Sequence, residues 1–241
     1  MLAVAVLVVV VRLIIGGGES ERAVTPPSPS SVAPPRSPQP LPVCARGDVL
    51  ATPASYEDWQ HTLVDTYYAL KPSYAPRDLV AVAEAGFRAP YEVRELAAPD
   101  LKALRDAASA ANSPLGIAAA YRSYAQQSSL YHRRVRSEGH EAAVGKTARP
   151  GHSEHQLGTT VDFKTLGAAD VDRSWERTPA GEWMAANAWT YGFVQTYPRS
   201  ATDRTCYWYE PWHYRYFGRD LAKQMHDSGL TVREFLWQER G

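Results

Sequence analysis

The sequence predicts an α+β domain in which helices flank a small antiparallel sheet. Helical and strand patterns are mixed between Cys44 and Gly241, without the regular strand–helix alternation that builds a parallel sheet. No internal repeat is visible in the sequence. With 241 residues, the chain is long enough for one domain with a sizeable core and short for two. We therefore expect a single folded domain of mixed class.

The first predicted helix begins just after the start of this region. Ser55 and Asp58 are spaced as in a capping box, in which each side chain satisfies a backbone N–H at the start of a helix. The helix that follows would carry Trp59, Leu63 and Tyr67 toward the core.

Two more helices and one strand are predicted before residue 140. Pro99 and Asp100 open a helix whose one face is apolar, formed by Leu101, Leu104, Ala107 and Ala108. The apolar run from Leu115 to Ala120 is typical of a short strand. Tyr124 to Ser137 is predicted to be helical, with a basic outer face.

The second half of the domain is predicted to contain most of the sheet. A strand is expected from Thr160 to Lys164, and a helix from Pro179 to Tyr191 should end at Gly192. Three strand patterns and two short closing helices come after that helix. The three strands are Phe193 to Tyr197, Cys206 to Tyr209 and Trp212 to Phe217.

The N-terminal segment differs in composition from the rest of the chain. Met1 to Ile15 is apolar except at Arg12, and residues 1–18 are predicted to be a signal sequence or a membrane anchor. A buried N-terminal strand or helix of the domain is the alternative. Export would place the folded domain outside the cytoplasm, secreted or tethered to the outer face of the membrane.

A Pro-rich linker is predicted for residues 19–43, because eight of the 18 prolines lie between Pro26 and Pro42. The folded domain would then span residues 44–241. Its two cysteines are Cys44 and Cys206, and in an exported chain two cysteines favour a disulfide. Two unrelated free thiols are the alternative.

The charge balance argues against one class of partner. The chain has 26 basic and 26 acidic residues, and no run of like charge. Such a neutral chain lacks the basic surface by which proteins bind nucleic acids. We expect no nucleic-acid partner, and we expect a monomer.

Two short regions combine histidines with carboxylates. Zinc hydrolases commonly use three protein ligands drawn from His, Asp and Glu and leave a fourth position for water. His155, Asp162 and His213 would supply such a set. Glu210 lies three residues before His213, close enough to act as a base if the chain bends at Pro211.

Each of these histidines also has a purely structural interpretation. His155 could be a hydrogen-bonded core or surface histidine, because a His and an Asp seven residues apart occur often by chance. His213 could belong to the aromatic cluster formed with Trp212 and Tyr214. His152 lies beside His155, and we do not expect it to contact the metal, since three ligands are already assigned.

Three motifs resemble those of the VanY-type zinc D-alanyl-D-alanine carboxypeptidases, a group within the LAS class of peptidoglycan peptidases. They are Ser153 to Gly158 running on to Asp162, Glu210 to Tyr216, and Tyr121 to Tyr124 followed by Gln127. The segment from Tyr191 to Pro198 is also similar. The resemblance covers about Ser55 to Leu236 and implies a hedgehog/D,D-peptidase-like fold with one catalytic domain.

The resemblance implies roles for individual residues. His155, Asp162 and His213 would hold one Zn²⁺, and Glu210 would be the general base that activates water. Arg122 would lie near the substrate carbonyl and the developing oxyanion. Ser153 and Gln127 would bind the terminal carboxylate of the substrate or shape its pocket. Trp212 is added because its place between Glu210 and His213 in the sequence puts it at the edge of the site. These eight residues form the predicted site.

One position departs from the family pattern. The family has Ala two residues before the ligand Asp, where this chain has Thr160. Because Thr suits a strand, we expect altered packing beside the metal rather than loss of the site.

The function implied is hydrolysis of the terminal D-Ala-D-Ala amide of peptidoglycan stem peptides or muropeptides. The same zinc site could instead serve an L,D-carboxypeptidase or a peptidoglycan endopeptidase. A non-catalytic module that binds the cell wall is a third hypothesis, although it would not need Glu210.

Overall fold

The computed structural model describes residues 40–52 and 57–240. The predicted signal or anchor, 1–18, and all of the predicted linker up to residue 39 lie outside this part of the chain. Within it, no helix is both long enough and apolar enough to cross a membrane. The described residues belong to one compact unit.

The described residues form seven α-helices and eight short strands. The helices are α1 (Ala98–Ala110), α2 (Tyr124–Glu138), α3 (His140–Lys146), α4 (Pro179–Asn187), α5 (Thr202–Thr205), α6 (Arg219–Ser228) and α7 (Val232–Gln238). The strands are β1 (Val49–Leu50), β2 (Tyr68–Ala69), β3 (Leu79–Ala81), β4 (Glu92–Arg94), β5 (Leu115–Ala119), β6 (Thr160–Thr165), β7 (Phe193–Gln195) and β8 (His213–Tyr216). The predicted α+β class is confirmed.

The main sheet has four antiparallel strands in the order β5-β6-β8-β7. Two smaller pairs accompany it: β3 with β4 is antiparallel, and β1 with β2 is parallel. In the main sheet, Asp162 of β6 lies directly opposite His213 of β8. The strand register therefore brings together two predicted ligands that are far apart in sequence.

Alternation of side chains along β6 and β8 separates the core from the site. Val161, Phe163, Tyr214 and Tyr216 point to one face, where they pack with α1 and α4 in the largest hydrophobic cluster. Asp162, His213 and Arg215 occupy the intervening positions and so lie on the other face. The main core therefore packs against one face of the sheet, and the polar side chains lie on the opposite face.

Two predicted elements are wrong in the described residues. The predicted start of the first helix, Ser55, lies outside the described residues; from residue 57 to Tyr67 the structure has one 3-10 turn, Trp59–His61, in place of the expected helix. The carboxylate of Asp65 accepts hydrogen bonds from the backbone N–H groups of Tyr67 and Tyr68, each 2.8 Å long, and this holds the chain in a turn. Trp59 and Leu63 are buried as expected, but Tyr67 is 37% exposed.

The strand expected from Cys206 to Tyr209 is also absent from this part of the structure. The short helix α5 ends at Cys206, whose φ of 68° lies in the left-handed region and breaks an extended conformation. The hydroxyl of Thr205 contributes as well, because it lies 3.0 Å from the carbonyl oxygens of both Ala201 and Tyr207 and shares its one hydrogen between them.

Cys44 and Cys206 form a disulfide, with 5.3 Å between their Cα atoms. The segment around Cys44 lies along the domain and is held by further contacts. The guanidinium of Arg149 donates to Asp48 at 2.8 Å, and Arg233 of α7 donates to the carbonyl oxygen of Pro42 at 3.1 Å. The predicted pairing of the two cysteines is therefore present in the structure.

Candidate metal centre and active site

His155, Asp162 and His213 come together on the polar face of the sheet. His155 lies in a 3-10 turn, Glu154–Leu157, that immediately precedes β6. Asp162 is on β6, and His213 is the first residue of β8. One donor atom from each residue lies within 4.8 Å of the others. Among the described residues, this is the one group of three such side chains.

Hydrogen bonds fix which nitrogen each histidine presents. Nδ1 of His155 lies 2.7 Å from the carbonyl oxygen of Ala120, which can only accept, so Nδ1 carries the hydrogen. Nε2 of His155 is left facing Asp162 at 3.2 Å. His213 is arranged the other way round, with Nδ1 3.0 Å from Asp162. The two rings therefore present opposite nitrogens to a common centre.

This donor set fits a zinc ion. Two nitrogens and a carboxylate are ligands that zinc prefers, at about 2.0–2.2 Å in tetrahedral geometry, which places neighbouring donors about 3.3 Å apart. The histidine–aspartate separations of 3.2 and 3.0 Å match that spacing. His155 and His213 are each 4% exposed and Asp162 is 13% exposed, so the centre is shielded from bulk water.

The electrostatics of the centre favour an ionised aspartate. Burial by itself would raise the pKa of Asp162, but the charges and hydrogen bonds of His155 and His213 hold this pKa well below its usual range. Burial likewise lowers the pKa of His155. For His213, burial is outweighed by the hydrogen bonds to Asp162 and Glu154, which raise its pKa to about 10. Without a metal, His213 therefore holds a proton that a bound cation must displace.

Glu210 lies in the turn that leads into β8. The backbone N–H of His213 donates to the carbonyl oxygen of Glu210, so the chain bends after this residue, as Pro211 suggested. The carboxylate Oε2 of Glu210 is 3.6 Å from Nδ1 of His213. The backbone N–H of Glu210 donates to the backbone carbonyl oxygen of Tyr197 at 3.1 Å. Burial, with the nearby charge of Asp162, raises the pKa of Glu210 to about 7, against the opposing charges of His213 and Arg122.

Arg122 follows β5 and is tied to the metal centre through its backbone. Its N–H donates to the carbonyl oxygen of His155 at 3.2 Å. The guanidinium Nη1 donates to Oε1 of Gln127 at 2.7 Å, and the amide of Gln127 in turn donates to the carbonyl oxygen of Ala148 at 2.6 Å. Both ends of the Gln127 amide are thus engaged within the protein, and Gln127 orients Arg122.

A cavity of about 210 Å³ opens at this centre. Its walls include all eight residues of the predicted site: Arg122, Gln127, Ser153, His155, Asp162, Glu210, Trp212 and His213. A larger cavity of about 720 Å³ lies against β5 and α1, but its walls contain no histidine and only one carboxylate, Asp106. The smaller cavity is therefore the candidate active site, because its walls carry the two histidines and two carboxylates that the larger cavity lacks.

Three buried residues of the site escape the sequence analysis. Tyr197 and Tyr207 line the cavity, and the ring of Tyr197 lies 4.6 Å from that of His213. Tyr197 falls in the similar segment from Tyr191 to Pro198, and that resemblance is the signal that could have pointed to it. Glu154 is the third, and its carboxylate contacts His213 rather than solvent. Burial would raise the pKa of Glu154, but His213 and Arg215 lower it to about 2.

Two neighbours of the ligands have structural roles. His152 faces away from the centre, with Nδ1 2.7 Å from the carbonyl oxygen of Asp65 and Nε2 3.1 Å from the carboxylate of Asp48. Thr160 is fully buried, and its hydroxyl donates to the carbonyl oxygen of Glu154 at 3.2 Å. The departure from the family pattern therefore adds a hydrogen bond and leaves the ligand set in place.

Comparison with known proteins agrees with this geometry. The family profile described as VanY, D-alanyl-D-alanine carboxypeptidase, matches residues 90–219, which include every residue of the site. The chain belongs to the VanY family. The putative carboxypeptidase YodJ of Bacillus subtilis (strain 168) is 36% identical over 179 residues, which are 72% of this chain and 66% of YodJ.

Solved structures of VanY-type and related enzymes have the same fold. The LdcB LD-carboxypeptidase matches with a TM-score of 0.68 and 35% identity, over 73% of this chain and 85% of LdcB. A VanY D,D-pentapeptidase from a VanB-type resistance cassette, in complex with Zn(II), matches with a TM-score of 0.63 and 28% identity, over 74% and 99% of the two chains. The chain spans between 44% and 66% of the length of three curated relatives that it matches, among them YodJ.

Proposed function

We propose that this protein is a zinc-dependent D,D-carboxypeptidase that removes the terminal D-Ala from peptidoglycan stem peptides. The observation that carries the proposal is the arrangement of Glu210 beside the donor set of His155, Asp162 and His213 in one cavity. A module that only binds the cell wall would have no use for a buried carboxylate of raised pKa at this place. Membership of the VanY family supports the same activity.

His155 Nε2, Asp162 and His213 Nδ1 would hold the zinc ion. When bound, zinc lowers the pKa of a water ligand to about 7, which provides a nucleophile at neutral pH. The hydrogen bond from Nδ1 of His155 to the carbonyl oxygen of Ala120 keeps this imidazole turned toward the centre. The chain thus provides a preformed set of ligands with an open side toward the cavity.

Glu210 moves the proton during hydrolysis. Its carboxylate takes one proton from the attacking water while the water oxygen bonds to the carbonyl carbon of the penultimate residue. When the C–N bond then breaks, Glu210 returns the proton to the leaving amine of D-Ala. Without a metal, burial raises the pKa of Glu210 to about 7. The charge of a bound zinc ion would favour the carboxylate, which is the form that accepts a proton from water.

Arg122 stabilises the negative charge that develops on the carbonyl oxygen. Its guanidinium is anchored by Gln127, so no reorganisation is needed during the reaction. Ser153 and Trp212 line the same cavity and would contact the substrate end that carries the free carboxylate. Gln127 acts through Arg122, since its amide is engaged at both ends.

An L,D-carboxypeptidase is the second candidate. The observation in its favour is the similarity to LdcB, an LD-carboxypeptidase of 35% identity. The two activities cut bonds that differ in the chirality of the residue before the terminal D-Ala. The same metal and base serve either reaction, so the walls of the cavity decide between them.

The proposal extends to the location of the protein. The disulfide between Cys44 and Cys206 supports export, because disulfides persist in oxidising compartments. We place the domain outside the cytoplasm, secreted or tethered to a membrane through residues 1–18, and we expect a monomer. Detection of the active domain in a cytoplasmic fraction alone would contradict this placement.

Defined muropeptides test the proposed activity. The purified, zinc-loaded full chain is incubated separately with a stem pentapeptide ending in D-Ala-D-Ala and with a tetrapeptide ending in a single D-Ala, and the products are identified by mass spectrometry. We expect loss of one D-Ala from the pentapeptide. Cleavage of the tetrapeptide alone would assign the L,D activity, and cleavage of neither would refute the carboxypeptidase.

A further inference from the structure

Glu154 is a buried carboxylate with no role in the mechanism above. It precedes His155 in sequence and is 2% exposed, yet its side chain points away from its neighbour. Oε2 lies 3.0 Å from Nε2 of His213, and Oε1 accepts a hydrogen bond of 3.0 Å from Nη1 of Arg215. Glu154 therefore joins the turn that carries one ligand to the strand that carries another.

Arg215 is held so firmly that it fixes the position of this carboxylate. Its side chain is fully buried, and Nη2 donates to the carbonyl oxygens of Trp59 and Gln60 at 2.6 and 3.3 Å. The guanidinium carbon also lies 4.5 Å from the ring centre of Phe217. Burying an ion pair costs free energy of desolvation, so its presence here calls for a role beyond stability alone.

The contact with Glu154 determines which nitrogen His213 can offer. An ionised carboxylate only accepts hydrogen bonds, so the nitrogen that faces it, Nε2, carries a hydrogen. Nδ1 of His213 faces the carboxylate of Asp162 at 3.0 Å. Asp162 belongs to the proposed ligand set and Glu154 does not, so a metal would replace the hydrogen on Nδ1 and leave the one on Nε2. Without the carboxylate, the ring would be free to carry its hydrogen on either nitrogen and to turn about its χ2 bond.

We infer that Glu154, held by Arg215, is a positioning residue that fixes His213 in the tautomer and orientation required for metal binding through Nδ1. The inference rests on the proposed metal site and deepens it, because it adds a group that contacts neither metal nor substrate. A carboxylate bonded to the far nitrogen also makes an imidazole a better electron donor. Glu154 thus tunes the affinity for zinc as well as the geometry.

The test compares two equally buried ion pairs in the purified full chain. Glu154→Gln keeps the size of the side chain but removes its charge, and its single amide oxygen can accept from Arg215 or from His213 but not from both as the carboxylate does. Asp65→Asn is the matched control, because Asp65 pairs with Arg233 at 2.7 Å and their side chains are 3% and 5% exposed, without contact to a ligand of the centre. Zinc affinity is measured by competition with a chelating dye.

We expect Glu154→Gln to bind zinc about 10 to 100 times more weakly, the usual loss when a partner of a metal-bound histidine is removed. Asp65→Asn should lower the unfolding temperature and leave zinc affinity within about twofold of the parent. An unchanged zinc affinity in folded Glu154→Gln would overturn the inference.

A second measurement needs no variant, so it is informative even if Glu154→Gln fails to fold. Long-range ¹H–¹⁵N NMR spectra of the zinc-loaded full chain, labelled on histidine, distinguish a metal-bound nitrogen from a protonated one. We expect His213 to show zinc on Nδ1 and hydrogen on Nε2. Zinc on Nε2 would overturn the inference.

The ligand assignment itself is checked separately, so that the two failures can be told apart. If His213→Ala retains zinc, the proposed metal site is wrong. If His213→Ala loses zinc while Glu154→Gln binds it as the parent does, only the role of Glu154 fails.

Discussion

Nη1 of Arg122 donates a 2.7 Å hydrogen bond to Oε1 of Gln127, and this bond decides where the positive charge of the cavity lies. Gln127 is 1% exposed and is itself held by the carbonyl oxygen of Ala148. The arginine is therefore aimed before any substrate arrives. Such fixed charges stabilise a transition state more strongly than mobile ones do, because they need not reorient.

Removing Arg122 should reduce turnover more than removing Gln127. Arg122→Ala is expected to retain zinc and lose about 10² to 10³ in kcat, as when an oxyanion donor is deleted. Gln127→Ala keeps the charge of Arg122 but removes the hydrogen bond that orients its guanidinium, so we expect a smaller loss of kcat. Gln126→Ala is the control, since Gln126 belongs to the capping box of α2 and should affect stability alone. Steady-state D-Ala release measures all three, and equal losses for Arg122→Ala and Gln126→Ala would contradict this role.

The ligand set predicts which histidines matter for zinc. His155→Ala and His213→Ala should each lose most of the one zinc ion per chain, together with activity, because two protein ligands rarely retain zinc. His152→Ala should keep its zinc, although it loses the contacts to Asp65 and Asp48 and so unfolds at a lower temperature. Elemental analysis of the purified variants gives the answer. Full zinc occupancy in His155→Ala would show that the assignment is wrong.

Glu210→Gln should separate metal binding from proton transfer. The amide preserves size and hydrogen bonding near His213 but cannot accept a proton from water. We expect normal zinc content with turnover lower by about 10² to 10⁴, the usual range for losing a general base. In the zinc-loaded parent, activity should fall at acidic pH as Glu210 becomes protonated, with a midpoint below the metal-free pKa of about 7 because the zinc charge favours the carboxylate. A variant that releases D-Ala at the parent rate would refute the mechanism.

The same carboxylate should lower the stability of the metal-free protein at neutral pH. The pKa of Glu210 is about 7 when folded and near its ordinary value of 4.5 when unfolded, so the native state binds more protons between these values. Stability therefore falls as the pH rises through this window. At pH 8, Glu210→Gln without metal should be more stable than the parent by about 1 to 3 kcal/mol. Urea unfolding at pH 8 and pH 5 checks this, and a difference that does not shrink toward pH 5 would exclude it.

The disulfide should contribute to global stability and leave the chemistry unchanged. Replacing Cys44 and Cys206 together by Ser removes a cross-link between residues 162 positions apart, which typically costs about 2 to 5 kcal/mol. The segment should still be held in part by Arg149 and Arg233. Guanidinium unfolding measures the loss, and zinc content should stay near one per chain. An unchanged unfolding midpoint would contradict this prediction and show that the contacts of Arg149 and Arg233 hold the segment without the disulfide.

The sequence predicts the sheet and most helices because their signals are local. β5, β6 and β8 follow apolar or alternating runs, α1 has Pro99 in its first turn, and α2 begins at a capping box formed by Ser123. The helix predicted to carry Trp59, Leu63 and Tyr67 is absent from the described residues because Asp65 turns the chain and is itself paired with Arg233, 168 residues away. A motif of a few residues does not reveal that competition.

In the candidate site, too, some features follow from local sequence motifs and others depend on contacts between distant residues. The eight predicted residues are carried by three motifs, and the structure brings all of them to one cavity. The contact between Glu154 and His213 spans 59 residues, and that between Glu154 and Arg215 spans 61. Each pair meets only because β6 and β8 are neighbours in the sheet. Pairing of strands, rather than any spacing in the sequence, creates this network.

The disulfide also determines what proteolysis can do to the enzyme. Arg122, His155 and Asp162 lie inside the covalent ring closed by Cys44 and Cys206, whereas Glu210 and His213 lie just beyond it. A single cut anywhere between residues 45 and 205 therefore leaves the two fragments joined, with the metal ligands still on one molecule. After such a cut, reduction of the disulfide would remove the last covalent link between the N-terminal fragment and the C-terminal fragment that carries Glu210 and His213. A cut in this region should therefore reduce activity more under reducing conditions than under oxidising ones.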